Sequence, residues 1–197
     1  MMFLSTIIAG LLASASADYL RQGADLSSDT TCVCTTVPCP VSGTNTLVNA
    51  GGETATYVYA MHSGHAVVQS ASTTVVKSNL DKGTDTTSCT QTYSRTLDDD
   101  GVQDCDAGHI LANRLGGSGN QPINIFPQDL SINRGSYAQY EGTIYDCVMN
   151  QGASSAKLSW TFTYSDSTRT KPNGVTYKAD YTDGKCADTT MVFTNGA

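Results

Sequence analysis

The stretch DAGHILANRLGGSGNQPINIFPQDLSINRGSYAQYE, Asp106 to Glu141, decides how this chain is read. It holds His109, one of three histidines, beside Gly108 and ahead of a glycine-rich turn. Amide oxygens recur at Asn113, Asn120, Asn124, Gln128 and Asn133, and a carboxylate follows at Glu141. From Ile132 to Met149 there is no proline, and Tyr137, Tyr140, Ile144, Tyr145 and Val148 recur at helical spacing. The run NQG (150–152) reads as the helix stop. Asn133, Tyr137 and Glu141 stand at i, i+4 and i+8 and so fall on one broad helix face. Eight residues rise about 12 Å along the axis, too far for Asn133 and Glu141 both to grip one ion easily.

Working outward, TATYVYAMH (54–62) and HAVVQSASTTVVK (65–77) have the β-branched and aromatic content of strands. SCTQTYSRTL (88–97) reads as a third strand. Beyond the helix, KLSWTFTYSDS and GVTYKADYT flank TRTKPNG, a strand–loop–strand signal, and DTTMVFT reads as a last strand. The fold class expected is α+β: antiparallel strands with one principal helix. Trp160 and the tyrosine-rich strands are expected in the core, with base stacking the alternative for Tyr137. HSGH (62–65) lacks a carboxylate and reads as a turn with exposed imidazoles. DDDGVQDCD puts Ala107 where a calcium loop needs glutamate, so it reads as an acidic loop.

The first seventeen residues contain no charge, include a short apolar run (Phe3–Leu12) and close on Ala15-Ser16-Ala17, a signal-peptidase pattern. Residues 1–17 are therefore expected to be a secretory signal, 18–54 an irregular, disulfide-tied segment, and 55–197 the main domain. The apolar run is too short to span a bilayer, and no membrane partner is expected. All seven cysteines lie after residue 17, which suits an oxidising, extracellular destination. Their number is odd, so one thiol is left over. C-x-C-x4-C at Cys32, Cys34 and Cys39 lacks the second half of a zinc site. A net charge of −7 argues against a passive nucleic-acid binder, though not against an enzyme whose metal supplies local positive charge.

Phosphodiester hydrolysis needs an activated water and relief of the charge growing on phosphate, and one neutral imidazole with one divalent cation provides both. Magnesium accepts a site with few protein oxygens because it keeps several waters. On these residues the chain resembles the DNA/RNA non-specific endonucleases, the ββα-metal (His-Me finger) nucleases. Their D-x-G-H is followed by N-x-x-P-Q-x-x-x-x-N-x-G and a distal glutamate. The branch with G-H-L-I-A and G-G-S-G, found also in bacterial nuclease toxins, is the most similar. A looser match extends from RTLDDDG (95–101) to RTKPNGVTY (169–177).

The resemblance implies His109 as general base, Asn133 as direct ligand of Mg2+ (or Mn2+), and Glu141 orienting metal-bound water. It implies Asn124 positioning the histidine or phosphate and Gln128 supporting the substrate. The histidine is expected on a strand and the asparagine on a crossing helix. DNA and RNA, single- or double-stranded, are the implied substrates, and products carry 5′-phosphates. Many members have arginine where this chain has Ala107, so Arg95, Arg114 or Arg134 is expected to supply that charge. The competing readings are a catalytically inactive, secreted nuclease-like binding module and a disulfide-rich structural domain.

Overall fold

A computed structural model describes residues 34, 37–100 and 105–196. The expected signal segment lies outside them. Six strands form one antiparallel sheet in the order β1-β2-β3-β6-β7-β8: Gly43–Val48, Thr54–His62, His65–Val75, Ala156–Thr163, Gly174–Tyr181 and Thr189–Thr194. β4 (Cys105–His109) and β5 (Ile125–Asp129) make a separate antiparallel pair. Helix α1 (Ser88–Thr96) precedes that pair; the turn α2 (Leu130–Ile132) and the principal helix α3 (Ala138–Met149) follow it.

Alternation builds the large sheet. Ala156, Leu158, Trp160 and Phe162 of β6 are buried, as are Val175, Tyr177, Ala179 and Tyr181 of β7. The residues between them face solvent and are mostly Thr, Ser and Lys. α3 lays Tyr140, Ile144, Cys147 and Val148 on the apolar face, the i, i+4, i+7, i+8 stripe of a helix packed on one side. Trp160 stacks on Tyr177 at 4.5 Å, and Tyr140 meets Tyr177 edge-on at 5.0 Å.

Three expectations are corrected. Residues 88–97 are helical rather than extended: Thr87 caps α1, its hydroxyl accepting from Thr90 N while the Thr90 hydroxyl accepts from Thr87 N. Burial of Thr90, Tyr93, Ser94 and Leu97 follows that helix, so packing outweighed β propensity. Within 18–54, Gly43–Val48 is not irregular but pairs along β2 as an edge strand. The HSGH turn forms with Ser63 and Gly64 at positive φ, but His62 is buried, not exposed. Its Nδ1 lies 2.7 Å from the Arg169 carbonyl.

Disulfides join Cys34 to Cys89 and Cys147 to Cys186, and Cys39 is also disulfide-bonded. Among the described residues the free thiol is Cys105, buried at the start of β4. In the acidic loop, Asp98 and Asp100, with Asp129, surround the buried ammonium of Lys171. Asp99 accepts from the Thr170 and Lys171 amides. Among the described residues no helix is long and apolar enough to cross a membrane.

Candidate active site

The β4–β5 hairpin and the helical segment after it build the site. His109 ends β4, paired with Ile125 of β5. Its ring Nε2 lies 3.1 Å from the carbonyl oxygen of Thr84. A carbonyl only accepts, so Nε2 carries the proton and Nδ1 keeps a lone pair. No described group hydrogen-bonds Nδ1. Burial lowers the imidazole's pKa from its ordinary value, outweighing the Thr84 carbonyl and the Asp85 charge, which raise it. The ring is therefore kept neutral.

The loop behind His109 is held from two sides. Gly119 N also donates to Thr84 O, at 3.1 Å. Asn124 is fully buried; its Oδ1 accepts from Leu111 N at 2.9 Å and from the Tyr57 hydroxyl at 2.9 Å, while Nδ2 donates to Leu111 O at 2.9 Å. Asn124 thus pins the backbone two residues beyond His109 and is too enclosed to touch phosphate.

Asn133 begins a widened helical turn, Asn133–Tyr137, that is broken at Gly135 (φ −108°, ψ −110°). That backbone conformation is one glycine adopts readily. Asn133 Nδ2 donates to Asp106 Oδ2 at 2.9 Å. Arg134 grips the same carboxylate with two bonds, Nε to Oδ2 and Nη2 to Oδ1, both 2.8 Å. Burial pushes the Asp106 pKa up, but the bonds from Arg134 and Asn133 outweigh it and hold the group below its ordinary value.

His109, Asn133, Arg134 and Arg95 line one cleft of about 370 Å³, with Asp106 and Ala107 in its wall. Arg95 comes from the last turn of α1 and is exposed, and no described group pairs with its guanidinium. The other expected residues are elsewhere. Arg114 lies over the Tyr145 ring at 5.8 Å, outside the cleft lining. Glu141 is also outside the lining; its Oε1 is sealed from solvent without a partner. Burial drives its pKa to about 8 against the pull of Arg114. Gln128 is fully buried against Gly108, both side-chain polar atoms unpartnered, so it contacts no substrate. Tyr137 is buried among Phe126, Tyr177 and Phe193 and cannot stack on a base. The helix is broken at Gly135, between Asn133 and Tyr137, and Tyr137 of the expected face is taken up by the core.

Asp106 is the residue that sequence reasoning passed over. Its place in D-x-G-H, three before the histidine, was the available signal.

The donors suit a hard divalent cation. With Nδ2 turned to Asp106, Asn133 Oδ1 is left to ligate. Among the described residues no group of three His, Cys, Asp or Glu side chains could hold a metal. The site is thus one of few protein oxygens, which magnesium tolerates.

Two strands followed by a helix, with a neutral histidine and an asparagine facing one cleft, define a ββα nuclease fold. The sequence profile described as "DNA/RNA non-specific endonuclease" matches residues 47–181, and the chain belongs to that family. It therefore carries an endonuclease domain. "Probable deoxyribonuclease RhsA" of Dickeya dadantii (strain 3937) is 38% identical over 116 residues, covering 59% of this chain. This chain spans only 8% of that relative's length. The crystal structure of NucA from Streptococcus agalactiae with magnesium ion bound superposes with a TM-score of 0.52 at 12% identity, covering 78% of this chain and 83% of NucA. NucA with no metal bound gives 0.53 at 14% identity, covering 90% and 92%. At these identities the likeness is one of fold.

Proposed function

We propose that this chain is a secreted, metal-dependent endonuclease that hydrolyses phosphodiester bonds in DNA and RNA with little sequence preference. The observation that carries the reading is the contact of His109 Nε2 with the Thr84 carbonyl, which fixes the tautomer. Nε2 is committed to the Thr84 carbonyl, so Nδ1 offers a lone pair in the cleft that also holds Asn133 and Arg95. His109 Nδ1 takes the proton of the attacking water, and burial keeps the ring in the form able to do so.

Asn133 Oδ1 would hold the magnesium or manganese ion, which when bound supplies positive charge against the phosphate. Arg95 contacts the phosphate and supplies the charge absent at Ala107. Of the three candidate arginines it alone lines the cleft with its charge uncompensated, since Arg134 is paired to Asp106 and Arg114 lies outside. The paired cysteines accord with export.

Plasmid DNA and total RNA incubated with the protein test this. Cleavage in magnesium or manganese is expected, abolished by EDTA and by His109→Ala. Inactivity of the folded wild type across several divalent metals would sink the reading in favour of an inactive binding module.

A further inference from the structure

We propose that Asp106 is a positioning residue whose carboxylate sets which end of the Asn133 amide faces the cation. This rests on the reading of Asn133 as the metal-holding side chain. An amide has a donor end and an acceptor end of nearly the same shape, and only the acceptor binds a cation. Nothing in Asn133 itself chooses between the two.

Asp106 makes the choice. Its Oδ2 lies 2.9 Å from Asn133 Nδ2, and an ionised carboxylate accepts only. Flipping the amide would put two oxygens face to face. The carboxylate is in turn held by Arg134, whose two parallel bonds fix its plane. Asp106 is on β4, and Asn133 and Arg134 open the helical segment, so these bonds run from strand to helix. The same pairing occupies Arg134, whose side chain is 67% exposed, with an internal counter-charge. Arg134 thus holds Asp106 rather than substrate. Outer groups that orient a ligand typically govern metal affinity by roughly 10–100-fold.

The test is calorimetric titration of Mn2+ into folded protein, without substrate, alongside activity as a function of metal. Asp106→Asn is expected to weaken Mn2+ binding at least tenfold and to raise the metal concentration for half-maximal activity by a similar factor. Asp106→Ala, which removes the acceptor that chooses the amide's orientation, is expected to weaken Mn2+ binding by at least as much. If Asp106→Asn binds Mn2+ as tightly as wild type while Asn133→Ala does not, the positioning role is overturned. If Asn133→Ala also binds normally, the metal assignment beneath it is wrong. Should Asp106→Asn melt early, Asp106→Ala decides: a folded variant that binds Mn2+ as tightly as wild type overturns the proposal.

Discussion

His109 and Tyr137 both belong to the motif, yet burial treats them oppositely. The histidine is enclosed yet still lines the cleft; the tyrosine is consumed by the core. Replacing His109 with alanine is expected to cost about 10²–10⁴ in kcat, with circular dichroism and melting unchanged. The pH profile gives an independent check. A base must be neutral to work, and burial moves the His109 pKa below its ordinary 6.5. Activity is then lost only as pH falls through that lowered value. The acid limb of kcat/KM is expected below pH 6.5; a midpoint above 7 would contradict the environment described for the ring.

Among the elements, the loop between β4 and β5 does the fine placement. Gly119 passes so close to His109 that a Cβ there would overlap Nε2 and the Thr84 carbonyl. Gly119→Ala is therefore expected to displace the imidazole and cut activity about 10–100-fold, while Mn2+ affinity stays near wild type, since Asn133 is on a different element. Loss of metal binding in that variant would show the two halves to be coupled. α1 offers a stability test: Thr87→Ala removes the cap hydroxyl and is expected to cost about 1 kcal/mol in urea unfolding. The capping pair Thr87/Thr90 was visible in the sequence, but threonine-rich helices and strands look alike until one knows which side is buried.

At the scale of the molecule, a buried carboxyl lies where the start of β2 meets the loop between β4 and β5. Glu53 is 6% exposed, and both of its oxygens are sealed from solvent. Both oxygens and the Asn79 carbonyl lie within 3.0 Å of the place a Cβ on Gly116 would occupy. Oxygens crowded in this way favour the protonated acid, and burial raises its pKa from the ordinary value of 4.5, against a smaller opposing pull from a backbone hydrogen bond. A raised folded pKa means the stabilisation is complete below about 4.5 and is lost as pH rises through the folded value. Glu53→Gln does not titrate, so its melting temperature relative to wild type is expected to climb between pH 5 and pH 8. A constant difference across that range would show Glu53 to be ionised throughout. Removing the Cys34–Cys89 bridge, which closes 55 residues onto α1, is expected to cost about 2–5 kcal/mol.

The order of residues alone determined the fold class, the strands on either side of the helix, and the motif holding His109 and Asn133. These depend on local periodicity and on spacing along the chain. Tertiary structure decided the rest. It took Tyr137 and Gln128 into the interior, broke the helix at Gly135, and left Arg95 in the cleft with no counter-charge among the described residues. It also gave Asp106 its two partners from the helical segment. Each of these outcomes turns on which groups are buried and which charges are already paired, and those contacts join residues far apart in the sequence.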